Sequence, residues 1–218
     1  MKHLTMEPFN TLTGIAAPLD RPNVDTDQLM PARYMRKPRE GGFQTFLFRD
    51  LRFDDSGNEI PDFVLNQEPY RQARILVADR NFGGGSSREQ AAWSLSDFGI
   101  RCVVAADFGD IFYLNALKCG LLPVRLSIDI CLILRRQLHA HPGFKMTVDL
   151  PQQRVQAPDG QYYSFSIDPF HKRRLLEGLD DIGFTLTHET AMSAFEQGYR
   201  QRWPGPEAAI APVRREAA

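Results

Sequence analysis

ILVADRNFGGGSSREQAAWSLSDFG (residues 75–99) and its continuation IRCVVAADFGDIFYLNALKCGLLPVRL (residues 100–126) decide the fold class. The stretch opens on an apolar run, Ile75 to Ala78, short enough for a buried strand and followed by three glycines. A helix-like run follows, then a second apolar run, a second helix-like run and a third apolar run. Strands are expected over 75–79, 101–106 and 121–126, with helices over 87–98 and 109–118. Gly99 and Gly120 stand just past the two helices, where a left-handed residue stops the coil. Strands separated by helices at this spacing pair in parallel through crossovers, which makes the protein α/β. Gly83, Gly84 and Gly85 then lie at the carboxyl end of a strand, where open parallel sheets bind ligands.

Outward from this core the pattern changes. Residues 1–70 are punctuated by prolines and turn residues, with short strands expected near 13–16 and 46–53. Downstream, a helix is expected over 129–140, then strands over 145–150, 154–157 and 162–167, with Asp159-Gly160 as a hairpin turn. Asp168-Pro169 reads as a cap and first turn of a helix that ends at Gly178. A last helix is expected over 187–202, closing a single domain over residues 1–202, and the tail over 203–218 reads as disordered.

The 218 residues carry a net charge of −1, which indicates no bulk attraction to nucleic acid or to an anionic membrane. No basic stripe with an aromatic platform is visible. The three cysteines, Cys102, Cys119 and Cys131, form no CxxC pair, and a reducing, cytoplasmic setting is expected. No apolar run approaches the length of a membrane span or signal peptide. His139 and His141 have HxH spacing but close a helix before Pro142-Gly143, so a polar helix end is preferred to a metal site.

The glycine loop carries the chemistry. A strand passing through glycines into a helix start leaves backbone N–H groups unpaired and aimed one way, which favours an anion. Ser86, Ser87 and Arg88 stand at that mouth. No Lys follows the glycines, so a Walker A loop is excluded, and Arg88 occupies the third position of a dinucleotide fingerprint, where it is too bulky. The bland alternative is a capping box, Ser86 with Glu89. A cap needs neither three glycines, nor a second Ser, nor an Arg whose charge opposes the positive helix end.

Asn81-Phe82-Gly83-x-Gly85-Ser86-Ser87-Arg88-Glu89 resembles the signature of the aconitase-superfamily swivelling domain and, more narrowly, of the 3-isopropylmalate dehydratase small subunits. Three further blocks resemble that family in order: Asn23 to Gln28 with Pro31, Gly99 to Pro123, and Gly178 to Glu189. The resemblance implies a three-layer β/β/α fold with a mostly parallel core sheet. It implies a hydro-lyase that isomerises a hydroxy-diacid by losing and regaining water. No cofactor is expected in this chain, and a [4Fe–4S] cluster is expected in a partner large subunit, in a heterodimer or heterotetramer. By the same resemblance Ser86 is the base, while Gly85, Ser87 and Arg88 bind substrate. Asp25 and Asp27 stand near the cleft, although Asx turns explain them equally well. Arg33 lies in a substrate-recognition loop or simply in a solvated basic loop, and residues 32–45 are expected to take their contacts from the other subunit. Two positions depart from the family pattern: Gly84 replaces a common Cys, and Gln90 replaces a His. They leave open a paralogous dehydratase for another branched hydroxy-diacid, or a non-catalytic binding module.

Overall fold

A computed structural model describes residues 6–85 and 87–203. Strand β1 (Thr11–Pro18) lies in the middle of a seven-stranded sheet. The short helices α1 (Thr26–Leu29) and α2 (Arg49–Arg52) follow it. Next come β2 (Ile75–Val77), α3 (Glu89–Phe98), β3 (Cys102–Ala105), α4 (Asp110–Lys118) and β4 (Leu122–Arg125). These strands are parallel to β1 in the order β4-β3-β2-β1, with Ala16 opposite Ile75, Ile75 opposite Cys102 and Cys102 opposite Leu122. The expected parallel core is therefore present.

Both faces of this half-sheet are covered, which is why β2 and β3 are apolar and buried at every position. Leu76 and Val103 point to one face, against Ala91, Ala92 and Leu95 of α3 and Phe112 and Ala116 of α4. Ile75, Val77, Cys102 and Val104 point to the other. There they meet Leu134 and Leu138 of α5 (Ile128–Ala140). Arg135 of α5 closes the carboxyl ends of β1 and β2 on that side. It donates to the Ala78 carbonyl at 2.8 Å, to Asp20 at 2.8 Å and to Asp79 at 2.7 Å. Sequence reading did not single out this buried clamp.

The other half of the sheet is antiparallel. Strand β5 (Lys145–Asp149) pairs with β1, β6 (Arg154–Gln156) with β5, and β7 (Tyr162–Ser164) with β6. Helix α6 (Pro169–Glu177) starts as expected, with the Asp168 carboxylate accepting from the Phe170 and His171 N–H groups, and stops at Gly178. No helix among the described residues is long and apolar enough to cross a membrane.

The strand expected over 46–53 is not formed. Phe48 takes a left-handed conformation (φ 50°) and α2 follows directly. Arg52 turns inward instead of alternating, donating to Asn66 Oδ1 at 3.0 Å and to the Gln44 and Leu47 carbonyls at 3.1 and 3.3 Å. A short apolar run does not distinguish strand from turn without its partners.

Residues 32–45 are held by this chain itself, against expectation. Phe43 is buried and stacks on Trp93, its N–H donates to Asp97 at 2.8 Å, and Arg39 pairs with the same carboxylate at 2.9 Å.

The chain divides into two compact units, one ending at Asp180 and one beginning at Asp181. The second holds α7 (Asp181–Leu186) and α8 (Glu189–Arg202), where one helix over 187–202 is expected from sequence. The expected loose tail lies, from residue 204 on, outside the described residues.

Candidate functional site

Three loops converge at the carboxyl end of the parallel strands. The glycine loop after β2 runs between the segment after β1 and the segment after β3. On one side the Gly83 N–H donates to the Val24 carbonyl at 2.6 Å, and the Thr26 N–H to the Gly84 carbonyl at 3.0 Å. On the other side Phe82 pairs with Phe108, and the Asn81 N–H donates to the Asp107 carboxylate at 2.6 Å. Asn81 sits at φ 55° and its amide reaches Asn23 Oδ1 at 3.0 Å. The rings of Phe82, Phe108 and Phe112 pack edge-on and stacked beneath the loop. Gly83 has φ 74°, and a Cβ there would lie 2.2 Å from Phe112 Cγ, so no other residue fits. Asp107 was not anticipated. The signal for it was an Asp closing a strand and preceding Phe-Gly, the same position that Asn81 holds before Phe82-Gly83.

The two motifs singled out from sequence are brought side by side. Asp25 caps α1, its carboxylate accepting from the Gln28 N–H at 2.7 Å, and bridges to Gly84. Asp25 thus has the turn-forming role that the sequence left open, at a position adjoining Gly85. Asp27 receives both terminal nitrogens of Arg88, Nη2 at 2.7 Å, while Nη1 also donates to the Met30 carbonyl at 3.3 Å. Arg88 is the buried member, its side chain 10% exposed against 59% for Asp27. The guanidinium beside it holds the Asp27 carboxyl below the usual range. An Arg88 open to an incoming carboxylate is therefore not what this conformation presents, because Asp27 fills its two-pronged edge.

Helix α3 begins at Glu89, with Arg88 in the cap position and making no side-chain cap bond. The expected start at residue 87 shifts by two, which puts Glu89 in the first helical position. Ser87 is exposed, and Ser86 lies outside the described residues. Arg33 is bound elsewhere: Nη1 meets Asp50 at 2.9 Å and the guanidinium lies 4.7 Å from the centre of the Tyr34 ring. A Cβ at Gly84 would meet Asn81 Oδ1 at 3.0 Å, so a larger residue requires that amide to move.

Cys102 is buried within β3 and Cys131 within α5, and burial pushes the Cys131 thiol up to about 11 and the Cys102 thiol higher still. Among the described residues no three His, Cys, Asp or Glu side chains are grouped as metal ligands. His139 pairs with Asp20 and His141 caps α5.

Among known protein families, the model of the aconitase C-terminal domain matches residues 6–129. One described as LeuD_N matches residues 133–169, and that of the C-terminal domain of the 3-isopropylmalate dehydratase small subunit matches residues 181–204. The 3-isopropylmalate dehydratase small subunit of Roseobacter denitrificans is 51% identical over 199 residues, covering 91% of this chain and 99% of its own. That of Granulibacter bethesdensis is 53% identical over 192 residues, covering 88% and 92%. The crystal structure of 3-isopropylmalate dehydratase (LeuD) from Methanocaldococcus jannaschii shares the fold, with a TM-score of 0.63 at 22% identity over 84% of this chain and 98% of that one. The chain belongs to the family of 3-isopropylmalate dehydratase small subunits, built on the aconitase C-terminal domain.

Proposed function

We propose that this chain is the small subunit of a hydro-lyase that interconverts 2-isopropylmalate and 3-isopropylmalate in leucine biosynthesis, active only with a large subunit. The observation that supports it best is the convergence of residues 23–27 with residues 81–85 and Arg88 at the carboxyl end of the parallel strands. In this reading the [4Fe–4S] cluster belongs to the large subunit, where it supplies a Lewis-acidic iron for the departing hydroxyl. The cytoplasm is the compartment assigned, since three free thiols suit a reducing setting.

The work of this chain is to bind carboxylate and to move a proton. The proton removed lies alpha to a carboxylate, and its loss spreads charge onto the carboxylate oxygens, where a fixed buried donor lowers the barrier. Arg88 is that donor. Its two terminal nitrogens match any carboxylate bidentately, so a substrate carboxylate binds by exchanging with Asp27, whose exposed side leaves it room to swing into solvent. Ser86 acts as base and Ser87 donates to substrate.

The test is anaerobic reconstitution with the cognate large subunit, assayed on 2-isopropylmalate and a panel of 2-hydroxy diacids. This chain alone should give no turnover, and the pair should interconvert the two isomers. Ser86→Ala should lower kcat by roughly 10²–10⁴-fold. A pair that turns over a different diacid, or one that binds 2-isopropylmalate without ever turning it over, refutes the assignment. The filled edge of Arg88 would suit the second outcome, a binding module without chemistry.

A further inference from the structure

We infer that one face of α8 is the surface by which this chain attaches to its large subunit. This rests on the reading that a large subunit is the partner. Met192, Phe195, Tyr199 and Trp203 are 40%, 71%, 55% and 70% exposed. Their spacing of three, four and four residues sets them in one stripe along the helix. The Phe195 and Tyr199 rings stack on each other at 6.0 Å between centres. Helix α7 adds Ile182, 63% exposed, and neither helix has a buried residue. A 14-residue helix is marginal without an apolar partner for its stripe.

The area fits an interface between subunits. Large aromatic side chains bury about 150–250 Å² each, so at these exposures the stripe offers roughly 500 Å². That is near the upper limit for a single apolar patch on a monomer and more than half of the ~800 Å² that one partner contributes to a standard interface. Charges of both signs, Glu189, Glu196, Arg200 and Arg202, share the helix and suit a polar rim.

The large subunit is the occupant because of what this segment accompanies. The aconitase C-terminal domain model ends at residue 129, whereas residues 181–204 match a model specific to dehydratase small subunits. A C-terminal domain is tethered by its own chain; the small-subunit relatives, matched over 99% and 92% of their own lengths, are separate chains, and a separate chain needs another attachment. An amphipathic helix laid in an apolar groove supplies one.

The test uses the full chain with Phe195, Tyr199 and Trp203 each changed to Ser. Kd for the large subunit should rise at least ~100-fold, as loss of aromatic anchors does. Activity should recover toward wild type at saturating large subunit, and far-UV circular dichroism and the urea midpoint should be unchanged. Hydroxyl-radical footprinting of the wild-type chain should show these aromatics protected only in the complex, which decides the matter if the variant folds poorly. An unchanged Kd overturns the proposal. So does protection in the free chain, whether self-association (a second copy) or its absence (the chain's own body) accounts for it. If the wild-type pair forms through α8 but never turns over isopropylmalate, the functional reading fails and the docking surface stands. If the pair turns over while α8 stays unprotected, the reverse holds.

Discussion

Replacing Asp27 with Asn tests whether the Arg88 pair anchors the glycine loop. The change is nearly isosteric. Arg88 would keep the Met30 carbonyl at 3.3 Å and one amide oxygen, and would face an NH₂ group where it now meets an acceptor. The guanidinium is buried and the carboxylate is more than half exposed. Removing one member of a fully buried pair costs about 3–5 kcal/mol, and losing a surface pair about 0–1 kcal/mol. One dry and one wet partner puts the loss between them, at about 2 kcal/mol. For a chain of this size that lowers Tm by roughly 4–8 °C. Urea unfolding of both proteins reads the difference, and its pH dependence has a definite sign. Arg88 lowers the folded-state pKa of Asp27, so the stabilisation is complete above the unfolded value of about 3.9. It is lost as pH falls through the lower folded value. The gap between wild type and Asp27→Asn should therefore hold from pH 7 down to about pH 5 and close in stronger acid. A gap under about 0.5 kcal/mol at pH 7, within the range of ordinary surface changes, refutes the reasoning. A gap that is the same in acid as at neutrality refutes it too.

Gly83→Ala combines a left-handed φ with overlap onto Phe112, and should cost about 2–5 kcal/mol in urea unfolding; a loss below about 1 kcal/mol would show that the loop relaxes freely. Arg52→Ala strands Asn66 and two carbonyls in the core and should cost about 3 kcal/mol, with Arg52→Lys recovering less than half of it. Ellman titration of the native chain should find at most one reactive thiol, Cys119, and all three in denaturant, because burial keeps Cys102 and Cys131 protonated. In the reconstituted enzyme Arg88→Lys should lower kcat/KM by roughly 10²-fold, since an ammonium cannot offer two parallel N–H groups; equal activity would remove Arg88 from substrate binding.

What was legible in the sequence was what local chemistry determines. The three parallel strands, the helix over 128–140 and the cap at Asp168 follow from apolar runs and from Gly, Ser or Asp at their ends. What was not legible depends on residues meeting across the fold. That β1 would stand between β2 and β5 is set by pairing with residues 59 positions away on one side and 130 or more on the other, not by TLTGIAAP itself. The region 46–53 misleads because its burial comes from Asn66 and the carbonyls around Arg52. The site divides the same way. Ser87, Arg88, Asp25 and Asp27 were readable as candidates, but that Arg88 binds Asp27 rather than open space, and Arg33 binds Asp50, is decided 61 and 17 residues away.

The Arg88 pair also constrains how the proposed site can work. Among the described residues the Arg88 guanidinium donates to Asp27 and to one carbonyl, whereas buried Arg52 has an amide oxygen and two carbonyls, so Asp27 carries most of what offsets the desolvation of Arg88. In the proposed mechanism a carboxylate stays on that edge throughout, Asp27 in the free chain and substrate in the working complex. Substrate affinity is then the difference between two carboxylates on one cation, not the full strength of a new ion pair. Such an exchange favours a ligand that brings further contacts, such as those the proposal assigns to Ser86, Ser87 and the loop backbone. In that proposal a second surface, on the large subunit, holds the rest of the diacid, and the pair that keeps the isolated loop in shape is the one that makes the second surface count.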